Sequence, residues 1–353
     1  MRPVRVIHVG LGPVGAAIAR QVAARPGLAS VAAVDVDPGK AGRDLAELTG
    51  APAPAGIVVS GDLARTLKKA RADVAVLSTG SSLEAVLPQI EAILEAGTSI
   101  VSTCEELSYP GYAHLRIARR IHARAKRRRA AVLAAGVNPG FAMDALPIAL
   151  TAVCGRVDRI RVNRVQDASL RRLPFQQKIG AGLAPEEFRK RAEERAVGHV
   201  GFTESVAMIA DALGWRLDRI TDRVQPRIAD APVSSGLLAV AAGEVCGIVQ
   251  DAAGFRNGEP VIALHMEAYL GAPASYDEVR IDGTPPVAMR IEGGIHGDLA
   301  TASIVVNSIP KVLAAPPGLH TMRDLPLPSF WPGRLSSTPL APSRPRRAPQ
   351  SAR

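Results

Sequence analysis

Two adjacent carboxylates, Glu105 and Glu106, follow a short apolar segment, "TSIVST", that has the pattern of a buried strand. A carboxylate beside a reacting group can take its proton and can stabilise a cation that forms there. A second carboxylate can orient the first or raise its pKa by like-charge repulsion. We therefore predict that at least one of the two is catalytic, with Glu105 slightly favoured because it comes first after the strand. The alternative is that one or both cap the next turn or pair with a surface arginine.

A glycine-rich segment near the start of the chain, "VIHVGLGPVGAAIAR", has the chemistry of a phosphate-binding turn. Its glycines have GxGxxG spacing between a strand pattern and a helix pattern, and the turn comprises Gly10, Gly12, Pro13, Val14 and Gly15. The first glycine permits the tight turn, the second lets a pyrophosphate approach, and the third lets helix and strand pack closely. Free N–H groups at the helix N-terminus then favour an anion. The segment predicts a dinucleotide site.

An acidic residue, Asp35, ends the second strand pattern, "VAAVDVD". In this position it can accept hydrogen bonds from the adenosine ribose hydroxyls of a dinucleotide. Its charge repels a 2′-phosphate and favours NAD, whereas Lys40 and Arg43 lie just beyond it and can bind that phosphate. The sequence thus predicts NAD or NADP as the cofactor and leaves the choice open.

Two further segments end at the carboxyl edge of the predicted sheet, where folds of this kind bind ligands. Thr79, Gly80 and Ser81 end the pattern "VAVLSTGSS", and we assign them to the nicotinamide side of the cofactor. Asn138 follows the pattern "AAVLAAG". It is expected either to contact the nicotinamide carboxamide or to hold the crossover between domains.

The elements that must position these residues alternate short β-branched runs with Ala- and Leu-rich stretches from residue 4 to about 137. Such alternation is typical of a parallel sheet with helices on both faces. Beyond residue 159 the strand patterns "RIRVNRVQ", "PVIALHMEAYL" and "PVAMRIEG" are expected to be antiparallel, with a helical region at 185–213. The predicted fold class is α/β, a Rossmann-type doubly wound parallel sheet with a second α+β domain.

The predicted domains are a dinucleotide-binding domain at 1–140 and an α+β substrate and dimerisation domain at 141–330. A helix near 298–313 is expected to pack back on the first domain. The remaining segment, 331–353, is rich in Pro, Ser and Arg with little to bury, which predicts a disordered basic tail.

The formal charge of +10 is local in this chain of 353 residues. Arg116–Arg129 holds eight basic residues and the last twenty residues hold five, with no acid in either segment. Without those thirteen, 30 basic residues remain against 33 acidic ones. The helical spacing of the first run favours a solvated helix face, with an anionic partner as the alternative. The low aromatic content, 3%, argues against a base-stacking surface, so no nucleic-acid partner is expected.

The cysteines and the apolar segments indicate the compartment. Cys104, Cys154 and Cys246 have no pairing pattern, which fits a reducing environment. The N-terminus enters a strand pattern without a secretory signal, and the most apolar window has too many breaks for a membrane span. No residue cluster has metal-ligand spacing. We expect a cytoplasmic protein with no membrane partner and no metal.

Five segments together resemble the 2,4-diaminopentanoate dehydrogenase group, which includes native amine dehydrogenases. They are "STCEELSYP", "GVNPGF", "DASLRRLPFQQKIGAG", "GHVGFTES" and "GDLATASIVVNSIPKVLAAPPGLHTMRDLP". The N-terminal domain of that group is similar to dihydrodipicolinate reductase. The resemblance covers about 4–328 and implies NAD(P)-dependent oxidative deamination of an amine to a ketone and ammonia, and the reverse reductive amination. It also implies that Glu105 or Glu106 deprotonates the amine and stabilises the iminium.

The same resemblance suggests the residues that bind an amine or carbonyl substrate and ammonia. Arg171, Arg172 and Lys178 are candidates for a substrate carboxylate, with a solvated basic loop as the alternative. His199 and Thr203, four residues apart, are expected to share one helix face and are candidates for the pocket lining, with a structural role for the histidine as the alternative. Other members of the closing segment, including Asp298, Thr301 and Asn307, are expected to be structural. We expect a homodimer.

Two other functions remain open at this stage. One is a cyclic imine reductase like dihydrodipicolinate reductase itself, although the paired histidines of that family are missing here. The other is a non-catalytic dinucleotide sensor, which needs the cofactor site but not the paired glutamates. A substrate-dependent NAD(P)H absorbance change separates an enzyme from a sensor.

Overall fold

The first half of the chain forms one parallel sheet in the computed structural model, which describes residues 2–50, 56–194 and 196–332. Its first six strands are β1 (Val4–Val9), β2 (Leu28–Val34), β3 (Val59–Ser60), β4 (Val74–Leu77), β5 (Ser99–Ser102) and β6 (Ala131–Ala134). The helices between them are α1 (Pro13–Ala23), α2 (Leu45–Thr49), α3 (Leu63–Ala70), α4 (Leu83–Glu95) and α5 (Leu115–Arg128). All described pairings between these strands are parallel.

Burial explains why this sheet is parallel. Val6 packs in a core with α1, whereas its neighbour Ile7 packs in a separate core with α3, α4 and α5. Successive side chains of a strand point to opposite faces, so a strand that is apolar at every position needs helices on both sides. The predicted α/β class is confirmed.

The second half contains a mixed sheet and four helices. The strands are β7 (Arg156–Asp167), β8 (Arg219–Ile228), β9 (Val233–Ser234), β10 (Ala239–Val240), β11 (Val245–Arg256), β12 (Glu259–Tyr269), β13 (Tyr276–Thr284) and β14 (Val287–Glu292). The helices are α6 (Ala145–Leu150), α7 (Leu173–Lys178), α8 (Pro185–Glu193) and α9 (Phe202–Ala212). Six strands form the sheet in the order β14-β13-β7-β12-β11-β8, and β9 pairs with β10 separately.

The expectation that the strands of this half are antiparallel is wrong for one pair. β12 runs parallel to β7, while the other neighbours in the six-stranded sheet are antiparallel. Parallel neighbours need a crossover connection, and the chain between these two strands passes through α7, α8, α9 and β8–β11. The alternation within a strand shows which face is buried but not which strand lies beside it.

The chain then returns to the first sheet. Helix α10 (Gly297–Ala314) packs against α1 and β5, which confirms the expected return of this helix. Strand β15 (Gly318–His320), which the sequence did not predict, pairs in parallel with β6. The completed sheet has the order β15-β6-β5-β4-β1-β2-β3.

The predicted tail is wrong at its first residue, because Trp331 is packed rather than disordered. It is 8% exposed, and its backbone N–H donates to Asn307 Oδ1 at 3.1 Å. Arg25 Nη1 donates to the Trp331 carbonyl at 2.9 Å and to Asn307 Oδ1 at 2.7 Å. The indole buries enough apolar surface to override the composition around it. The rest of the predicted tail, 333–353, lies outside the described residues.

The basic run forms helix α5 and lies against acidic residues of α4. Arg120 and Arg124 pair with Glu91, while Arg124 and Arg128 pair with Glu95. Part of the local positive charge is therefore balanced within the domain. None of the described helices is long and apolar enough to cross a membrane.

Candidate active site

A cleft of about 430 Å³ opens between the domains at the carboxyl edge of the parallel sheet. The turns after β1, β4, β5 and β6 line one side, and β7, α7 and the loop before α9 line the other, with the start of α10 between them. The sequence-predicted site residues in this lining are Gly12, Pro13, Val14, Thr79, Gly80, Ser81, Glu105, Asn138, Arg171, Arg172, Lys178 and His199. Those outside it are Gly10, Gly15, Asp35, Glu106 and Thr203.

The three glycines of the turn after β1 have different environments. Gly10 has φ +91°, and a Cβ there would lie 2.7 Å from the Ser78 carbonyl oxygen. A Cβ on Gly15 would lie 2.1 Å from the Gly10 carbonyl oxygen. A Cβ on Gly12 meets nothing within 4 Å, so the protein itself does not require glycine at that position. Gly12 borders open space at the N-terminus of α1, which has no side-chain cap, and this space fits a pyrophosphate.

Asp35 lies directly after β2 and is held beside the glycine turn. Its Oδ2 accepts the Leu11 backbone N–H at 2.7 Å and lies 3.2 Å from Lys40 Nζ. Burial opposes ionisation, but the N–H groups of Asp37 and Leu11 and the Lys40 ammonium hold the pKa of Asp35 below its usual value. Lys40 also pairs with Asp37 at 3.3 Å. The carboxylate is therefore ionised and fixed in place.

The turn after β6 brings an unsatisfied amide into the cleft. Both side-chain polar atoms of Asn138 are buried without a hydrogen-bond partner among the described residues. A buried amide without partners is costly, and a bound group with one donor and one acceptor would satisfy it. The primary amide of a nicotinamide ring has that pair of groups.

Glu105 opens a short 3₁₀ turn, Glu105–Leu107, and faces the cleft. Its Oε2 lies 3.1 Å from Lys178 Nζ, and the Ser81 side chain also favours the ionised carboxylate. Burial opposes ionisation, but His199, Lys178 and Ser81 more than offset it, so the pKa of Glu105 lies below its ordinary value. Because the His199 ring is neutral near pH 7, the positive charge beside Glu105 at that pH is that of Lys178.

Glu106 points away from the cleft. Its Oε2 accepts the Leu83 backbone N–H at 2.6 Å, at the first residue of α4, and lies 3.3 Å from His114 Nε2. These contacts are of the capping and pairing kind that was the alternative to catalysis. The two adjacent glutamates thus have separate environments, and the one in the cleft is Glu105.

The expectation that His199 and Thr203 share a helix face is wrong. His199 lies in the loop before α9, whereas Thr203 lies in α9 and donates its hydroxyl to Glu204 at 2.8 Å. Gly201, with φ +99°, stands between them as the N-cap of the helix. Because α9 begins at Phe202, three residues after His199, the two side chains cannot share a face of that helix.

The orientation of His199 is fixed by its neighbours. Its backbone N–H donates to Gln250 Oε1 at 2.7 Å, and Gln250 Nε2 donates to its carbonyl at 2.9 Å. The ring Nδ1 lies 2.9 Å from the Val200 carbonyl oxygen, so Nδ1 carries the proton. Burial lowers the pKa of His199 to about 4, so Nε2 is a hydrogen-bond acceptor at neutral pH.

The two candidate arginines hold the start of α10. Arg171 binds both oxygens of Asp298 through Nε and Nη2, at 2.9 and 3.1 Å, and Arg172 Nε binds Asp298 at 3.0 Å. The Nε–Nη2 edge of the Arg171 guanidinium is therefore occupied by Asp298. Arg172 uses only Nε among the described residues.

Sequence reasoning missed several polar residues of the cleft, among them Arg164 and Gln166. Both are buried on the face of β7 that also carries Ile160 and Val162. A signal was present, because alternation places these polar side chains on the apolar face. Arg164 pairs with Asp277 and donates to the Ile295 carbonyl, so its charge is partly committed. No cluster of three or more potential metal ligands occurs in the described part of the chain.

The chain has a Rossmann-type parallel sheet joined to a mixed sheet, and the cleft between them holds an ionised carboxylate. Two-domain dehydrogenases have this architecture. The chain is 33% identical to the 2,4-diaminopentanoate dehydrogenase of Acetoanaerobium sticklandii, over 93% of this chain and 95% of that protein. The family model for the 2,4-diaminopentanoate dehydrogenase C-terminal domain matches residues 141–338. The chain therefore belongs to the 2,4-diaminopentanoate dehydrogenase family and acts on CH–NH₂ groups.

Another relative agrees with this assignment, and a solved structure shares the fold. The chain is 26% identical to an amine dehydrogenase of Streptomyces virginiae, over 90% of this chain and 95% of that one. The solved amine dehydrogenase of Mycobacterium smegmatis superposes with a TM-score of 0.84 at 24% identity, over 93% and 98% of the two chains.

More distant structures share the fold. A dihydrodipicolinate reductase of Paenisporosarcina superposes with a TM-score of 0.52 at 15% identity, over 90% of this chain and 97% of that one. A scyllo-inositol dehydrogenase of Lactobacillus casei with NAD(H) bound has a TM-score of 0.53 at 16% identity, over 88% and 89%. The predicted relation to dihydrodipicolinate reductase is confirmed at the level of fold, whereas the family match favours a dehydrogenase over a cyclic imine reductase or a sensor.

Proposed function

We propose that this amine dehydrogenase uses NAD(H), takes an amine substrate that carries a carboxylate, and uses Glu105 as its catalytic base. The observation that carries the proposal is the position of Glu105, ionised and largely buried in the cleft beside Ser81. The other carboxylate in the cleft lining, Asp298, is already bound by two arginines. Glu105 is therefore the acid that is placed to exchange protons with a substrate.

The first step requires a neutral amine. Only an uncharged nitrogen can donate its lone pair to form a carbon–nitrogen double bond, so Glu105 takes a proton from the substrate ammonium. NAD⁺, when bound, supplies the hydride acceptor. Once that proton has passed to solvent, the ionised Glu105 side chain faces the substrate iminium cation and stabilises it.

Hydrolysis completes the reaction. Glu105 can then take a proton from the water that adds to the iminium carbon and return it to the nitrogen. The remaining water proton passes through Glu105 to solvent as ammonia leaves and the ketone forms. His199 Nε2 supplies a second acceptor in the same cleft. An iminium NH₂ group has two N–H groups, and it can donate one to Glu105 and the other to His199. The substrate loses a hydride and a proton, and water oxygen replaces nitrogen.

The residues that would hold the cofactor fit a dinucleotide. The backbone at Gly12, Pro13 and Val14 would hold the pyrophosphate, and Asn138 would receive the carboxamide. Asp35 would accept the ribose hydroxyls. We propose NAD(H) over NADP(H), because Asp35 is ionised and Lys40, the nearest cation, is already engaged by Asp35 and Asp37.

Among the described residues of the cleft, Arg172 is the cation with both Nη groups unbound, which suits a substrate carboxylate. Arg171 is engaged by Asp298 and Lys178 by Glu105, whereas Nη1 and Nη2 of Arg172 bind no described residue. An arginine fork binds a carboxylate through two parallel hydrogen bonds. We therefore propose that Arg172 binds the substrate carboxylate, at the end remote from the reacting carbon. A diamino acid such as 2,4-diaminopentanoate has this arrangement.

A panel of amines with and without a carboxylate tests this assignment. Arg172→Met should raise KM for the carboxylated amines by about ten- to a hundred-fold and leave the uncharged amines little changed. Arg189→Met, which changes an exposed arginine of α8, is the control. Equal effects on both classes of amine would remove Arg172 from substrate recognition.

We also propose that the chain acts as a homodimer through the second sheet. Helices α8 and α9 pack on one face of that sheet, and the opposite face carries charged side chains such as His265, paired with Asp251 and Glu267. A wide, rigid face of mixed charge can pair with its own copy about a two-fold axis. Light scattering coupled to gel filtration gives the mass, and a monomer at micromolar concentration would refute the proposal.

The test of Glu105 is single-turnover hydride transfer with saturating NAD. Glu105→Gln keeps the shape of the side chain but loses the base, so the rate should fall by about 100-fold or more while the Kd of NADH stays unchanged. Glu84→Gln, which changes an exposed carboxylate of α4, should match the unaltered protein. Near-normal transfer by Glu105→Gln would refute the catalytic role.

A further inference from the structure

We infer that Glu106 is a positioning residue, which fixes Glu105 against the loop that carries the nicotinamide side of the site. This inference rests on the proposed role of Glu105 as the base. Glu106 does not line the cleft, so it would act on the substrate only through the turn that it shares with Glu105.

The turn that carries Glu105 is docked on a single residue of the loop after β4. Cys104 Sγ and the Glu106 backbone N–H both donate to the Ser81 carbonyl oxygen, at 3.1 and 3.2 Å. The residues on either side of Glu105 are thus fixed to Ser81, which sets the direction in which the Glu105 side chain leaves the backbone.

The Glu106 carboxylate reinforces this docking at the next residues of the same loop. Helix α4 begins at Leu83, and its own N-cap residue, Ser82, makes no side-chain cap hydrogen bond. Glu106 Oε2 accepts the Leu83 N–H at 2.6 Å, so a carboxylate 23 residues away in sequence caps the helix. An anion at a helix N-terminus is favoured by the free N–H groups and by the dipole.

The same oxygen also reaches the start of the next helix. His114, the N-cap residue of α5, has its Nε2 3.3 Å from Glu106 Oε2. One side chain therefore ties the catalytic turn to the beginnings of both α4 and α5. Small errors in the position of a catalytic group are costly, and a displacement of about 1 Å can reduce a rate by about 100-fold.

Hydride transfer in a double-mutant cycle tests the inference. Glu106→Gln keeps an acceptor for the Leu83 N–H and should stay within about three-fold of the unaltered rate, whereas Glu106→Ala should lose about ten- to a hundred-fold. The Kd of NADH should change little in either. In a Glu105→Gln background, Glu106→Ala should cause no further loss, because there is no base left to position.

A second pair of variants removes the other partner of the hydrogen bond and remains informative if Glu106→Ala fails to fold. Leu83→Pro lacks the N–H at a helix position that tolerates proline, and Leu83→Ala is its control, since it leaves a similar cavity but retains the N–H. Hydride transfer should be slower in Leu83→Pro than in Leu83→Ala.

The outcomes separate this inference from the proposal on which it rests. If Glu105→Gln transfers hydride normally, the proposed base is wrong. If Glu105→Gln is slow, the positioning role is still refuted by an unchanged rate in Glu106→Ala, by equal losses in Glu106→Gln and Glu106→Ala, or by additive losses in the double variant. Equal rates in Leu83→Pro and Leu83→Ala would refute it independently.

Discussion

The two halves of the cleft are built by different means. On the cofactor side the shape comes from the backbone. A Cβ on Gly10 would lie less than 3 Å from the Ser78 carbonyl, and a Cβ on Gly15 would lie less than 3 Å from the Gly10 carbonyl, so both positions require glycine. On the substrate side it comes from charged side chains that meet across the domains, such as Glu105 with Lys178. A backbone site tolerates little change of shape, whereas a side-chain site can be retuned one charge at a time.

The largest effect should come from filling the cofactor side. Gly12→Val places a side chain in open space, so the protein should fold normally while NADH binding weakens by about 100-fold or more, because the pyrophosphate can no longer approach. Gly111→Val, at another glycine with open space around it, is the control. Calorimetric titration measures both, and normal NADH binding by Gly12→Val would place the cofactor elsewhere.

A change of charge on the substrate side should have a smaller effect that depends on pH. Lys178→Met removes the cation that favours ionised Glu105, so the pKa of Glu105 rises and the acidic limb of the kcat profile for deamination moves to higher pH. On that limb kcat should fall by about ten-fold, whereas Lys178→Arg keeps the charge and should keep the limb. An unmoved limb in Lys178→Met would show that Lys178 does not set the ionisation of the base.

An effect of similar size is expected at the ribose end, where the Asp35–Lys40 pair lies beside the glycine turn. Asp35→Ser removes the repulsion of a 2′-phosphate and releases Lys40, so the ratio of NADPH to NADH affinity should rise by about ten-fold. In the double variant Asp35→Ser, Lys40→Met the gain should be lost. If the double variant keeps the gain, repulsion by Asp35 alone decides the preference. Fluorescence titration with both reduced cofactors gives the two affinities.

The same contrast explains what could be predicted from the sequence. The glycine turn, its helix and Asp35 lie within the first 35 residues, and local spacing was enough to predict that they come together. The partners of Glu105 and Glu106 are Lys178, 73 residues away, and the N–H of Leu83, 23 residues away, so two adjacent identical residues could not be told apart before folding. The parallel pairing of β7 with β12 was hidden for the same reason.

Burial of Trp331 and the pairing of β15 show a further limit. Both depend on a surface that exists only after the first sheet has formed, and the composition of the last segment gives no sign of it. Conversely, Gly201 is visible in the sequence, and a glycine N-cap at that position predicts that His199 lies outside the helix.

The return of the chain to its first sheet also bears on synthesis. β6 leaves the ribosome almost 190 residues before its outer neighbour β15, and α10, which covers β5, follows the whole second sheet. During that interval β6 is an unpaired edge, which can pair with another chain. We expect the half that holds the parallel sheet to reach its final stability only when almost the entire chain has emerged. The half that is synthesised first is therefore completed last.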